Sequence, residues 1–133
     1  MEETVVRLMK RGAITCTEDT SVREVAQIMV MNRIRYCVVV NQKHEVLGII
    51  SARSILKAFG RDLDGTKAKD ILLPYTITIT SRSLLSEAVD LMARKRIEHL
   101  IVVSDRPDSK VVYGLLHGED LVPFMTKNQE MKA

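Results

Sequence analysis

Glu119 and Asp120 follow the branched apolar run VVYGLLH at residues 111–117. Such a run with a single glycine reads as a buried strand, and the two acids then fall in the first turn of a helix. A carboxylate placed there lies beside free backbone N–H groups. Its two oxygens can accept hydrogen bonds from a vicinal diol such as a ribose edge. An acid at this position also favours the positive end of a helix for no other reason. The remaining reactive side chains suggest little chemistry. His44, His99 and His117 form no H-x-x-x-H or equivalent close pair, so no metal site is expected. Cys16 and Cys37 stand in apolar, strand-like settings without C-x-x-C spacing, as buried free thiols do. There is no Walker sequence, no G-x-G-x-x-G and no nucleophile with a neighbouring base. No catalysis is expected, and a bound phosphate would rely on helix-start N–H groups and on scattered cations such as Arg53.

The carboxylate gains meaning because its surroundings occur twice. Gly48-Ile-Ile-Ser-Ala-Arg-Ser-Ile55 matches Gly114-Leu-Leu-His-Gly-Glu-Asp-Leu121 position for position, at a shift of 66 residues. Upstream the shift is 63: Ile14, Thr15 and Thr17 fall on Ile77, Thr78 and Thr80, Arg33-Ile34 on Arg96-Ile97, and YCVVV at 36–40 on HLIVV at 99–103. The difference is a longer loop in the second copy, Ser104 to Lys110, with Asp105, Pro107 and Asp108 as its turn formers. An internal duplication of about sixty residues is the most specific feature of the chain.

The elements that must position these residues follow from periodicity. Glu3 to Arg11 is expected as a short helix closed by Gly12. A brief strand at Ile14 to Cys16 precedes a helix through about Asn32, with Ser21 and Glu24 at capping-box spacing. Tyr36 to Val40 is almost wholly apolar and suits a strand covered on both faces. Val46 to Ser51 forms the next strand, and a helix follows to about Phe59. The second copy repeats the order: a helical turn at Ala68 to Leu72, strand Ile77 to Ile79, helix Leu84 to Arg94, strands His99 to Val103 and Val111 to Leu116, and helix Glu119 to Met125. Pro123 is placed in or near the first turn of that last helix. The fold class is α/β (α+β), with two β-α-β-β-α repeats. Each sheet is too small to be covered by its own helices, so the repeats are expected to pack sheet to sheet about a pseudo-twofold axis, creating two equivalent clefts.

Composition sets outer bounds. A chain of 133 residues is one domain or two very small ones, and a sixty-residue unit alone is marginal, so a shared core is expected. No apolar run is long enough for a membrane span and no basic-then-apolar leader is present, which suggests a cytoplasmic protein. A formal charge of +3 favours anionic ligands in a general way, but lacks the concentrated basic stripe of a nucleic-acid binder.

The repeated pattern is a glycine, two apolar residues, Ser or Thr, two residues, Asp and an apolar residue, after an apolar strand ending in Val-Val. It resembles the cystathionine-beta-synthase (CBS) domain, and two copies are similar to the paired CBS or Bateman module. The resemblance covers repeat 1 at residues 5–60 and repeat 2 at 68–126, with a linker at 61–67 and a polar tail at 127–133. It implies a regulatory module without catalysis of its own, binding an adenosine nucleotide of the AMP, ADP or ATP type, AMP first among them. S-adenosylmethionine sensing, or a dimerising adaptor with empty clefts, are the alternatives.

The same resemblance implies Asp120 as ribose ligand, His117 on the phosphate side, and Ile77, Thr78 and Ile79 as the adenine wall. Ser51 and Arg53 fit the pattern in the first repeat, with Arg53 reaching phosphate across the cleft. Two departures matter. Ser54 stands where the first repeat should have Asp, and Glu119 where the second should have Arg, so the functional cleft is expected on the second repeat. Further implications are a homodimer through the repeat helices, with Val30, Met31, Leu84 and Leu91 on their rims, and an unidentified regulated protein as partner. Neither a membrane nor nucleic acid is expected as a partner.

Overall fold

The computed structural model of the chain describes residues 3–74 and 77–127. The elements are α1 (Val5–Leu8), β1 (Lys10–Arg11), β2 (Thr15–Cys16), α2 (Val22–Asn32), β3 (Tyr36–Val40), β4 (Val46–Ser51), α3 (Ala52–Leu56), α4 (Ala68–Ile71), β5 (Thr78–Thr80), α5 (Leu85–Lys95), β6 (His99–Val103), β7 (Val112–His117) and α6 (Gly118–Lys127). Of the tail expected at 127–133, Lys127 alone lies within the described residues, where it ends α6. Two compact units result: residues 13–74 form one, and residues 3–12 with 77–127 form the other.

In the unit of residues 13–74, a three-stranded sheet runs β2-β3-β4, with β2 parallel and β4 antiparallel to the central strand. Helix α2 begins where expected, because the Ser21 hydroxyl accepts the Glu24 N–H at 3.1 Å. Its apolar stripe places Val22, Val25 and Met29 over Cys16, Cys37, Val39 and Ile50 of the sheet. The two thiols are free and buried in this core. They are neighbours there: a hydrogen bond to Cys37, with burial, pushes the Cys16 thiol up, and the same bond holds Cys37 down.

The other unit repeats the plan with α5 in place of α2, placing Leu85, Ala88 and Met92 over Leu100, Val102 and Leu116. Its sheet has a fourth strand, in the order β1-β7-β6-β5. In both sheets the opposite face is buried too, through Val38, Val40 and Ile49 in one and Ile101, Val103 and Leu115 in the other. Hence β3 and β6 read as unbroken apolar runs. The packing helices of both units end on an arginine in the left-handed region, Arg33 at φ 53° and Arg96 at φ 54°. A non-glycine residue there is uncommon, and its recurrence at the 63-residue shift shows the duplication in backbone geometry.

The fourth strand corrects the helix expected over Glu3 to Arg11. Helix α1 stops at Leu8, and Lys10–Arg11 pair antiparallel with Leu115 and Gly114. Gly12, at φ 67°, then turns the chain away, its N–H bonded to the Tyr113 carbonyl at 3.1 Å. The Lys10 carbonyl lies so close over Gly114 that a Cβ there would collide with it. The first repeat does the same with a later segment. Leu73 bridges Ile49 through two backbone hydrogen bonds of 3.1 and 2.9 Å, beside Gly48. Each arm, residues 4–11 or 67–73, therefore docks on the repeat that it does not head. The bridge Thr4–Leu84 repeats Ser21–Lys67 at the 63-residue shift.

Two smaller corrections concern helices. After Leu56 the chain of α3 continues as i→i+3 turns, Lys57 to Ser54, Ala58 to Ile55 and Phe59 to Leu56, rather than as α-helix. Pro123 stands inside α6, beyond its first turn, and so leaves the Glu119 carbonyl without its usual N–H partner.

Candidate functional site

Strand β7 ends on His117 and α6 begins on the next residue, with no loop between them. The junction is tied down by the Gly118 N–H, which donates to the Glu98 carbonyl at 2.7 Å at the start of β6. This fixes the first turn of α6, which carries Glu119, exposed, and Asp120, half-buried. The Asp120 Oδ2 atom is fully buried and accepts no hydrogen bond from any described residue. Leaving a buried acceptor unsatisfied costs about 1–3 kcal/mol. A ligand bringing hydroxyl or N–H donors to this oxygen would recover that, and the nearby helix start favours an anionic group beside them.

The equivalent junction in the first repeat resolves the same problem internally. Ser51 ends β4 and caps α3, its hydroxyl accepting the Ser54 N–H at 3.4 Å while the Ser54 hydroxyl accepts the Ser51 N–H at 3.2 Å. Ser54, at the position of Asp120, is 1% exposed with its hydroxyl engaged in this reciprocal cap. Arg53 projects from α3 as an exposed side chain. Ser51, Arg53 and Ser54 thus share one junction in the unit of residues 13–74, and His117, Glu119 and Asp120 share another in the second unit.

The first strand of the second unit contributes less side chain than expected. Ile79 is buried in the core under α5, and Ile77 packs against the same cluster. The Ile77 carbonyl accepts the Ile101 N–H at 3.2 Å. What remains for a flat ring is backbone and Thr78, which is half-buried on the alternate face of β5.

His99 was not among the residues expected at the site, yet it is the register partner of His117 across β6 and β7. Burial lowers its pKa from the ordinary 6.5, the neighbouring His117 lowers it further, and Glu98 opposes both. The two histidines are separated by 18 positions, so no short motif links them. The pairing would have followed from setting HLIVV against VYGLLH end to end.

Among the described residues, no group of three or more His, Cys, Asp or Glu side chains could hold a metal ion. Nor is any helix among them long and apolar enough to cross a membrane.

Comparison with known proteins agrees with the fold. The model of the CBS domain matches residues 5–61 and 68–127, and the chain belongs to that family. It is 31% identical over 136 residues to an uncharacterized protein of Methanopyrus kandleri, covering 96% of this chain and 68% of that one. It is also 31% identical over 118 residues to the homoserine O-acetyltransferase of Methanocorpusculum labreanum, covering 89% of this chain but 23% of the enzyme. A CBS domain protein of Pyrobaculum aerophilum, solved in complex with AMP, is 26% identical with a TM-score of 0.80, covering 97% of this chain and 98% of that one. A CBS domain pair solved with 5′-methylthioadenosine and S-adenosylmethionine shares the fold, at 21% identity and a TM-score of 0.82, covering 96% and 98%.

Proposed function

We propose that this chain is a regulatory module whose ligand is an adenosine nucleotide, AMP first among them, held at the junction of β7 and α6. The observation that carries the reading is the buried, unsatisfied Oδ2 of Asp120 beside a helix start. In this reading Asp120 accepts from the ribose hydroxyls, His117 lies on the phosphate side, and the backbone of residues 77–79 with Thr78 lines the adenine. Ser51 and Arg53 hold the corresponding phosphate-side positions of the first repeat. The AMP complex of the Pyrobaculum protein supports the ligand class. A regulated partner is supported by the match to one part of a much longer acetyltransferase. The decisive experiment is calorimetric titration of the chain with AMP, ATP and S-adenosylmethionine. A single strong site for a nucleotide, lost in Asp120→Ala, is expected. Absence of binding by every adenosine compound at millimolar concentration would favour a dimerising adaptor instead.

Self-association through the repeat helices belongs to the same proposal. Val30 is 77% and Met31 82% exposed on α2, beside a shallow groove of about 370 Å³ lined by Arg23, Ala26, Gln27 and Leu63. Leu84 is 36% exposed and fits the same role less well. Leu91 packs against the core of its own unit and leaves the rim. Sedimentation of the parent and of Met31→Glu tests this: a concentration-independent monomer for the parent would count against a dimer.

A further inference from the structure

We infer that His99 and His117 form a two-imidazole clamp for a borderline divalent cation of the zinc or nickel class, a site that shares His117 with the proposed nucleotide site but needs no nucleotide to bind its ion. The argument begins with register. His99 and His117 are Cα partners in the antiparallel pair β6–β7. The Gly118 N–H donates to the Glu98 carbonyl, the residue after one histidine bonding the residue before the other. That pattern makes His99 and His117 a non-hydrogen-bonded pair, the closer of the two antiparallel types, with Cα atoms about 4.5 Å apart. Directly opposed side chains project from the same face of the sheet. The rings are therefore carried side by side by backbone that is fixed at both ends, by the Leu100–Leu116 pairing and by the start of α6.

Chemistry suits the placement. Neutral imidazole is the form that ligates metal, and it suits zinc, copper and nickel. An ion between the two neutral rings would take one nitrogen lone pair from each. Glu98, next to His99 in sequence, adds a favourable field. Both histidines are half-buried rather than enclosed. No third His, Cys, Asp or Glu completes the set among the described residues. The remaining positions on the ion would be filled by water, which makes the site open and exchangeable rather than a structural one.

The test uses the full chain without nucleotide. Zn²⁺ and, separately, Ni²⁺ are titrated calorimetrically at neutral pH into the parent, His99→Gln, His117→Gln, His44→Gln and the double variant Cys16→Ser/Cys37→Ser. Histidine resonances are followed by NMR in parallel. A single ion per chain is expected, with affinity reduced about tenfold or more in either His99→Gln or His117→Gln. The His44 and thiol variants should bind as the parent does, and the His99 and His117 ring signals should move together. Absence of binding at millimolar metal, binding that survives both single His99 and His117 variants, or binding removed by the His44 or thiol variants would overturn the inference. Folding of each variant is checked by its metal-free melting temperature, and a variant that fails to fold is replaced by His99→Asn or His117→Asn.

Discussion

The strand-to-helix junctions at Ser51–Ser54 and His117–Asp120 occupy equivalent places in the two repeats and differ in what becomes of their fourth residue. In the first, the serine hydroxyl closes a reciprocal cap on Ser51 and is satisfied within the protein. In the second, a carboxylate takes the same position and one of its oxygens is buried without a donor among the described residues. Duplication supplied two copies of one frame. A single side chain then decides whether the frame is closed on itself or leaves a buried acceptor unsatisfied.

The largest expected effect tests that difference directly. Asp120→Ala should weaken AMP binding by a factor of ten to several hundred, since charge-assisted hydrogen bonds contribute about 1.5–3 kcal/mol each. Ser54→Ala should leave AMP affinity unchanged and lower the melting temperature slightly, through loss of the cap. Equal loss in both variants, measured by calorimetry, would erase the distinction between the junctions.

Next in size is a contrast between the two arms. Gly114→Ala would drive a methyl into the Lys10 carbonyl, which is backbone and cannot swing away. A destabilisation of about 2–3 kcal/mol is expected. At Gly48 an added Cβ would meet Leu72 Cδ1 at 2.6 Å and the Leu73 carbonyl at 2.7 Å, partly flexible side chain, so Gly48→Ala should cost less. Urea unfolding of the two variants measures the order, and the reverse order would mean that the arm of residues 67–73 is the tighter one.

Smaller still is the helix start of α2. Ser21→Ala removes the acceptor of the Glu24 N–H and should cost about 1 kcal/mol. The matching helix α5 starts on Leu84 without a side-chain acceptor, its Glu87 carboxylate instead accepting the Leu84 N–H at 3.1 Å. Glu87→Ala should therefore cost no more than Ser21→Ala in the same denaturation assay.

The smallest effect concerns pH. His99 takes up its proton at lower pH in the folded chain than its ordinary 6.5. The unfolded chain then binds more protons just below pH 6.5, so this contribution to stability is complete above 6.5 and declines as pH falls from 6.5 toward the folded value. His99→Gln should flatten that decline in melting temperature, measured in the presence of a metal chelator. An unchanged slope would place the burdened proton elsewhere.

Most of the fold was legible because its signals are local. Helix α2 announced itself through Ser21, Glu24 and a stripe at Val22, Val25 and Met29, and β3 and β6 through runs that only doubly covered strands tolerate. The duplication gave the element order twice over. What escaped depended on partners distant in sequence. Lys10 and Arg11 look like the end of a helix until Leu115 and Gly114 are placed beside them. The side chains of Ile77 and Ile79 turned to the core are likewise a matter of tertiary placement. Asp120 stood out in the sequence because the first repeat has Ser54 at the matching position. His99 was passed over because its partner is a whole hairpin away.

The arm that completes the second sheet has a consequence for the order in which the chain acquires structure. Arg11 is synthesised about a hundred residues before Gly114, the residue it must meet. The intervening segment can close first, since its own arm, Ala68–Ile71 with Leu73, is emitted directly after the strands it seals. Residues 10–11 must remain unpaired and available until then, and closing them onto β7 carries an entropic loop penalty that grows only slowly with the length of the intervening chain. The arm of residues 10–11, made before every strand of the sheet it joins, is thus among the last segments to be fixed, and pulse-labelling hydrogen exchange should show the Gly12 amide, which donates to the Tyr113 carbonyl, protected later than those of β3.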